Sequence, residues 1–501
     1  MSQSWVKLMS RLLWQDVQQC LLLLVVHSSG PNLLGRNWIK ALRYSVPQLQ
    51  ALAVSESSHY ADADLSQLKA EFSSLFATGL GKFTGPPVNV PIQENAQPVF
   101  KKARAVPLAL RERVEQELNK LVDQDILEPV RFSRWATPVV AVSKASGDLR
   151  LCGDYKVTVN RVAKAESYPL PRFEELLAAL PKASYFSKLD LSQAYQQLVV
   201  DEATQELLTI NTHRGLFKVK RLAFGISSAP GIFQRVMETI LQGLPEVVVF
   251  LDDILIVGST KKEHDARVRM VLSRLQSAGL KLQADKCAIC KTQVVFLGHL
   301  LSANGIQPLA DKVAAIQDVA TPKSAADVKV FLGMLQYYGR FLPGLSTLVE
   351  PLHRLLDKGH QWAWTPQCEQ AFHMAKALLS SQSVLVHFDP ELPTILSVDA
   401  SPYGLGAVLA HQMPDGSEKS IAFASRTLSA AERHYAQVDR EALAVVFGTK
   451  KFHMYLFGRH FTIMTDHKPV LGLLNATKAT PESAARGYFV GLWILVDMTM
   501  S

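Results

Sequence analysis

Residues 247–258, VVVFLDDILIVG, set two adjacent acidic residues between two apolar runs. Two short runs rich in Val, Ile and Leu around a pair that suits a turn predict a β-hairpin with Asp252 and Asp253 at its tip. Strand residues alternate faces, so Phe250 and Asp252 are expected on one face and Leu251 and Asp253 on the other, and the carboxylates diverge. A hard cation such as Mg²⁺ takes oxygen ligands and holds phosphates, so a site here needs a further carboxylate from elsewhere in the chain. Taken alone, FLDD favours plainer turn chemistry, because Asp is a common turn residue.

Residues 184–199, SYFSKLDLSQAYQQLV, supply the missing group: Asp190 sits among apolar neighbours in a strand-like run that passes into a helix. An acidic residue in such surroundings is costly unless it is paired or binds a cation. On a strand next to Asp252, Asp190 could share two metal ions about 3.5–4 Å apart, the arrangement used for in-line phosphoryl transfer. A structural salt bridge is the other reading for Asp190 by itself.

The 501 residues suffice for about three domains. With 48% hydrophobic and 20% charged residues the chain has the composition of a globular protein, and its net charge of +8 leans towards an anionic partner such as nucleic acid. Five cysteines argue against a disulfide framework, and Cys287 and Cys290 in KCAICK lack a second ligand pair at zinc-finger spacing, so no metal is assigned there. The apolar run at residues 20–26, CLLLLVV, is far shorter than the roughly 20 residues of a membrane helix and reads as a buried strand.

Along the chain, residues 46–97 turn polar and proline-containing and read as a linker. Leu110, Val114, Leu118, Leu121 and Val122 recur at helical spacing. TPVVAVSK and DLRLCGDYK read as a hairpin with Gly147 at its turn and with Lys144 and Arg150 as its basic members. A turn at residues 225–230 opens a helix, residues 261–283 form another, and residues 294–302 form a strand pair. Beyond residue 386, PTILSVDAS, GLGAVLAHQ and SIAFASRTL read as strands, a long helix over residues 430–456 carries Glu441, and HFTIMTDHKP is a strand ending at Asp466. Asp399, Glu441 and Asp466, converging from strand, helix and strand, would form a second two-metal site suited to hydrolysis by activated water. His411 and His467 read as ordinary polar residues.

The ordered series WATPVVAV, RLCGDYK, FSKLDLSQAYQQL, FGISSAP, FLDDILIVG, FLGH, FLGMLQYYGRFLP, VDASPYGLGAVLA and TDHKP resembles the reverse transcriptase of gypsy-like long-terminal-repeat retrotransposons, over about residues 98–475. The resemblance implies an α+β fold: a right-hand polymerase of fingers, palm and thumb, followed by an incomplete ribonuclease H-like α/β domain. It divides the chain into an aspartic-protease-like remnant at 1–45, the linker at 46–97, fingers and palm at 98–302, thumb and connection at 303–385, a partial ribonuclease H-like domain at 386–486 and a divergent tail at 487–501.

The same resemblance implies Asp190, Asp252 and Asp253 as the polymerase carboxylates holding two Mg²⁺ ions, with Asp190 and Asp252 the principal ligands. It implies Tyr195 as the gate against a ribose 2′-hydroxyl, Lys144 and Arg150 as the grip on a deoxynucleoside triphosphate, and Phe224 and Gly225 as the wall beside the nascent base pair. Phe296, Leu297, Gly298 and His299 match the primer-holding turn. Asp399, Glu441 and Asp466 match three acidic positions of ribonuclease H and would be its metal ligands. Lys323, Lys329, Arg340, His353 and Arg354 would grip a template–primer duplex. The chain departs from the pattern at Phe250, usually Tyr, and Ala223, usually Pro.

The ends fit less well. No Asp-Ser/Thr-Gly motif precedes residue 98, so no protease activity is expected, and no integrase region is expected after residue 501. The last residues, GYFVGLWILVDMTMS, match no ribonuclease H element, so a fourth carboxylate is missing and RNA-strand cleavage is expected to be weak or lost. The expected activity is RNA- and DNA-templated DNA polymerisation in a cytoplasmic retroelement particle, with a template–primer duplex and deoxynucleotides as partners and no membrane. The reading from another class is a non-catalytic nucleic-acid-binding remnant.

Overall fold

In the computed structural model, described residues run from 66 to 467, apart from short stretches at 144–148, 165–167, 179, 181–182, 358–360 and 381–383. Two strands nearer the N-terminus, β1 (Val6–Trp14) and β2 (Val17–Val25), are described by their backbone and pair antiparallel as a hairpin in a separate unit. The strand expected at residues 20–26 thus falls largely within β2. The remaining residues of the expected protease-like remnant, residues 46–65 of the expected linker and all of the tail lie outside the described residues. The later part of that stretch is not a free linker: it forms a short helix at Ser73–Phe76, buries Leu75, Val88 and Val90, and bridges Val88 to Val200 and Ile92 to Ala163, because apolar residues between its prolines find partners that polar composition does not show.

Helix α1 (Leu108–Asp123) turns Val114, Leu118 and Leu121 inward, at the spacing the sequence shows. After it come β3 (Leu127–Val130), β4 (Thr137–Ser143), β5 (Leu149–Gly153), β6 (Tyr185–Asp190), β7 (Ile210–Thr212) and β8 (Gly215–Val219). All but β6 form one five-stranded sheet in the order β3-β8-β7-β4-β5, with β4 and β5 as the expected hairpin. Its turn, and Lys144 with it, lies outside the described residues.

Strand β6 belongs to a second sheet. Helix α2 (Ala229–Leu241) begins at Ala229 with Pro230 in its first turn, where a missing N–H costs nothing. The hairpin β9 (Val247–Phe250) and β10 (Asp253–Gly258), helix α3 (Lys261–Ser277) and β11 (Ala288–Lys291) complete the sheet, in the order β11-β6-β10-β9. Ile254, Leu255, Ile256 and Val257 are all fully buried, as for a strand covered on both faces. Each such side chain contributes about 1.5–3 kcal/mol of burial. This central strand is therefore a rigid base for whatever sits at its start.

Strands β12 (Gln293–Phe296), β13 (His299–Ser302) and β14 (Gly305–Pro308) form a three-stranded sheet, the last strand being one the sequence reading did not foresee. Helices α4 (Ala325–Tyr337) and α5 (Pro366–Ser380) pack beside it through Phe331 and Phe372, whose ring centroids are 4.6 Å apart. The final sheet is β15 (Thr394–Ala400), β16 (Gly404–Gln412), β17 (Glu418–Thr427) and β18 (Phe461–Met464), in the order β17-β16-β15-β18, with β15 and β18 parallel. Helix α6 (Gln437–Lys451) crosses it. The long helix expected over residues 430–456 is broken in two places, because residues 432–434 form a separate 3₁₀ turn and α6 ends before a short helix at His453–Leu456.

The two halves are tied by main-chain and polar contacts. Ile306 bridges Leu385, His387 Nε2 lies 2.9 Å from the Ser302 carbonyl, and the Ser346 N–H donates to Ser425 Oγ at 3.0 Å. Gly305 adopts φ +128°, and a Cβ there would lie 2.0 Å from the Leu385 carbonyl oxygen. Gly305→Ala is therefore expected to destabilise the chain by roughly 2 kcal/mol or more. Chemical denaturation of the two proteins measures the difference, and equal midpoints would refute the contact.

Candidate active site

The register of the second sheet brings the acidic residues together. Asp253 stands opposite Phe250 on β9 and opposite Asp190 on β6, so the end of β6 meets the start of β10. Directly opposed residues share a face. Phe250 and Asp253 therefore lie on one side, contrary to the alternation expected from sequence. The reason is that Leu251 and Asp252 form the turn and belong to neither strand, with Leu251 at φ +52°.

The carboxylates still diverge, and each has different company. Asp253 Oδ1 pairs with Lys188 Nζ at 3.0 Å, Lys188 being two residues before Asp190 on the same strand face. Asp190 Oδ1 lies 3.5 Å from Lys286 Nζ, and its carbonyl accepts from the Gln283 N–H at 2.9 Å. Asp252 Oδ1 is buried and has no hydrogen-bond partner among the described residues. Burial, then the neighbouring charges of Asp190 and Asp253, push the Asp252 carboxyl above its ordinary range. Burial does the same to Asp190, opposed by the Lys286 ammonium. A buried carboxylate oxygen without a donor, beside a second half-buried carboxylate, suits a hard divalent cation.

Around this pair stand the other expected residues. The Tyr195 ring lies edge-on to Phe224 at 5.3 Å and to Phe233 at 5.1 Å, and burial with the Asp252 charge pushes its hydroxyl up to about 12. The Arg150 guanidinium sits 4.0 Å from the centre of the Phe224 ring, a cation–π contact. Gly225 has φ +90°, and Asn160 holds its turn by donating to the Gly225 carbonyl at 2.7 Å and accepting from the Ser227 N–H at 3.0 Å. Asp190, Asp252, Tyr195, Arg150, Phe224 and Gly225 thus form one neighbourhood.

The turn at 296–299 has Leu297 at φ +45° and Gly298 at φ +72°, and the Tyr337 hydroxyl donates to the Leu297 carbonyl at 2.7 Å. His299 is buried, stacked 4.4 Å from Phe173 and 5.4 Å from Tyr337, and burial lowers its pKa to about 4. Of the basic residues expected to grip a duplex, Lys323 and Lys329 are exposed. Arg354 instead pairs with Glu350 at 2.6 Å, and Arg340 packs half-buried over Phe173. Burial holds the imidazole of His353 below its usual value. Of these three only Arg340 is drawn into packing; His353 and Arg354 stay at the surface, Arg354 with its charge already paired.

A second acidic cluster lies on the last sheet. Asp399, Glu441 and Asp466 place ligand oxygens within 4.8 Å of one another. Asp399 and Asp466 are exposed, whereas Glu441 is buried, accepts from Gln437 Nε2 at 2.6 Å and leaves Oε2 without a partner among the described residues. Burial and the two aspartates push its carboxyl up. Asp466 lies two residues beyond the end of β18 rather than on it. His467 also contributes charge at Glu441, so it belongs to the cluster's surroundings, while His411 is a buried strut accepting from the Asp389 N–H at 2.9 Å.

Residues 142–301 match the family described as reverse transcriptase (RNA-dependent DNA polymerase), and residues 364–463 match the RNase H-like domain found in reverse transcriptase. The chain is 33% identical over 391 residues to the retrovirus-related Pol polyprotein from transposon 297 of Drosophila melanogaster, covering 77% of this chain and 36% of that protein. It is 34% identical over 382 residues to the transposon Tf2-3 polyprotein of Schizosaccharomyces pombe, covering 75% and 28%. The chain belongs to the retrotransposon Pol polyproteins. It spans about a third of the length of the curated Pol relatives it matches. Among solved structures, the foamy viral protease-reverse transcriptase in complex with RNA/DNA hybrid has a TM-score of 0.73 at 20% identity, covering 87% of this Pol chain and 59% of that one. A form of the same foamy viral protein in complex with double-stranded DNA has a TM-score of 0.76 at 18% identity, covering 99% and 88%. The right-hand polymerase and RNase H-like architecture of Pol is thus present here.

Sequence reasoning missed Lys188, Lys286, Asn160 and Gln437, whose side chains contact the acidic residues or hold the turns beside them. Only Lys286, in an exposed basic and cysteine-containing stretch, gave any signal. The raised pKa of Asp252 has a consequence for stability. The folded chain holds that proton more tightly than the unfolded chain, so the stabilisation is present at low pH and is lost as pH rises through the raised value. At neutral pH without divalent cations, Asp252→Asn is expected to raise the melting temperature. Adding Mg²⁺ should then stabilise the wild type more than the variant. A lower melting temperature for Asp252→Asn in the metal-free state would contradict the assigned charge crowding.

Proposed function

We propose that the chain is an RNA- and DNA-templated DNA polymerase that extends a primer 3′-hydroxyl with deoxynucleotides. The observation that carries this reading is the convergence of Asp190 and Asp252 beside Tyr195, Phe224 and Arg150, with one buried Asp252 oxygen lacking any donor. Asp190 and Asp252 would hold Mg²⁺, which when bound supplies Lewis-acid stabilisation of charge on the primer oxygen and the leaving pyrophosphate. Asp253, already paired with Lys188, takes a supporting part in this arrangement.

The chain's own residues then divide the work. Arg150, anchored on Phe224, meets the triphosphate with charge-assisted hydrogen bonds, and the resemblance gives Lys144 the same role. Tyr195, braced by two aromatic rings, forms a rigid wall where a ribose 2′-hydroxyl would clash. The turn at 296–299 supports the primer end, fixed from behind by Tyr337 and the His299 stack. In the reaction the primer 3′-oxygen forms a bond to the α-phosphorus and the bond to pyrophosphate breaks.

Primer extension on an RNA template with Mg²⁺ and deoxynucleotides tests the reading. The wild type is expected to extend, and Asp252→Asn to lose at least about a thousandfold of the rate. A folded wild type that binds the duplex without extending it leaves the other reading, a non-catalytic nucleic-acid-binding protein. Tyr195→Ala should keep extension with deoxynucleotides while raising use of ribonucleotides about tenfold or more. Unchanged sugar selection in that variant would remove Tyr195 from its role.

The second cluster supports hydrolysis of the RNA strand of a hybrid, with Asp399, Glu441 and Asp466 as ligands. The impairment expected from sequence rests on residues outside the described ones. A cleavage assay comparing the wild type with Asp399→Asn decides it: cleavage lost in the variant assigns the activity to this cluster, and no cleavage by either protein bears out the impairment.

A further inference from the structure

The tip that carries Asp252 is closed by the Phe250–Asp253 pair, but the first residue of its turn does not favour the conformation it takes. A hairpin turn whose first residue has positive φ ordinarily uses Gly or Asn, and here it is Leu251 at φ +52°. The support comes from α2. Gln234 is fully buried, and its Oε1 accepts from the Leu251 N–H at 2.7 Å while its Nε2 donates to the Val249 carbonyl at 2.8 Å. The amide can sit only one way round, because an N–H can only donate and a carbonyl only accept. Nε2 also donates to Glu238 Oε1 at 2.7 Å, and Glu238 accepts in turn from the Tyr168 hydroxyl.

We propose that Gln234 is a positioning residue of the polymerase site: it grips the Val249 carbonyl and the Leu251 N–H along the free edge of β9 where the strand enters the turn, holds Leu251 left-handed, and so aims the Asp252 carboxylate at Asp190. Glu238 fixes the amide from the other side. This rests on reading Asp190 and Asp252 as the metal-holding pair. Without the clamp, Leu251 relaxes towards the ordinary negative-φ region and the following residue leaves the turn in a different direction. Packing of α2 alone requires no amide at this position, since an apolar side chain of equal length would fill the same space.

The test compares the wild type with Gln234→Met, which keeps the length and removes both hydrogen bonds to the hairpin along with the one to Glu238, and with Gln234→Met combined with Leu251→Gly. Three readouts accompany primer extension: hydrogen exchange of the 250–253 segment, Mn²⁺ binding followed by electron paramagnetic resonance, and duplex affinity. Gln234→Met is expected to expose the Leu251 amide to exchange and to lose roughly tenfold or more in Mn²⁺ affinity and in kcat, with duplex affinity unchanged. Gly takes positive φ freely, so Leu251→Gly should restore part of the Mn²⁺ affinity, a rescue that a packing role would not give. If Gln234→Met does not fold, Glu238→Ala removes only the outer bond to the amide and should show the same pattern at smaller size. Unchanged exchange and Mn²⁺ affinity in whichever of these variants folds, or no rescue by Leu251→Gly, overturns the proposal. A wild type that binds Mn²⁺ through Asp252 yet extends no primer sinks the polymerase reading alone, and the exchange and Mn²⁺ results still decide the role of Gln234.

Discussion

The pairing of β6 with β10, Asp253 opposite Asp190, is the constraint on which the rest of the molecule depends. A slip of one residue would turn every side chain of one strand to the other face and bury Lys188 and Asp190 in place of Ser187 and Leu189. The fully buried run Ile254 to Val257 forbids that slip, because no polar residue of β6 could replace its packing without a partner. Hydrophobic burial therefore sets the register, and the register sets the acidic site. The carboxylates repel one another, and the core beneath them supplies the free energy that holds them together.

Strain is found where this register ends. Of the six non-glycine residues with positive φ among the described residues, Leu251 and Gln193 lie in turns that follow the strands of the acidic pair and Leu297 lies in the 296–299 turn, while Asp125, Glu246 and Cys290 lie elsewhere. Such residues persist only when their surroundings over-determine them. For Leu251 the surroundings are the Gln234 amide, and for Leu297 they are the Tyr337 hydroxyl, which reaches its carbonyl from α4. In both cases a side chain from a separate helix, 17 residues away for Leu251 and 40 for Leu297, fixes a hairpin tip.

That separation explains what could be read from the sequence and what could not. The hairpin, β6 and the strands carrying Asp399 were legible because apolar runs bounded by turn residues are local signals. The convergence of Asp190 with Asp252 followed from the cost of an acidic residue in an apolar run, a local signal again. The face of Asp253 was misread because alternation stops at the turn, and nothing in FLDD marks Leu251 as its first residue. Gln234 was invisible for a related reason: a glutamine in an amphipathic helix looks like a solvent-facing residue until the hairpin is seen behind it. The break after Lys451 was hidden as well, since Phe452 and its neighbours continue the apolar period through a bend.

The two acidic clusters solve the same problem by different means. Each has one buried carboxylate with an oxygen lacking a partner, Asp252 in the first and Glu441 in the second. At the first, Lys188 and Lys286 neutralise the flanking aspartates, so the like charges are opposed by protein groups even without a cation. At the second, Asp399 and Asp466 face solvent, where water and salt screen them. The first cluster is therefore held poised by its own lysines, and a cation entering it competes with the Lys286 ammonium for Asp190. At the second, water is the main competitor for the exposed oxygens. The lysine pair thus makes the first site the more sensitive of the two to changes in its own side chains, while the second is governed more by ionic strength.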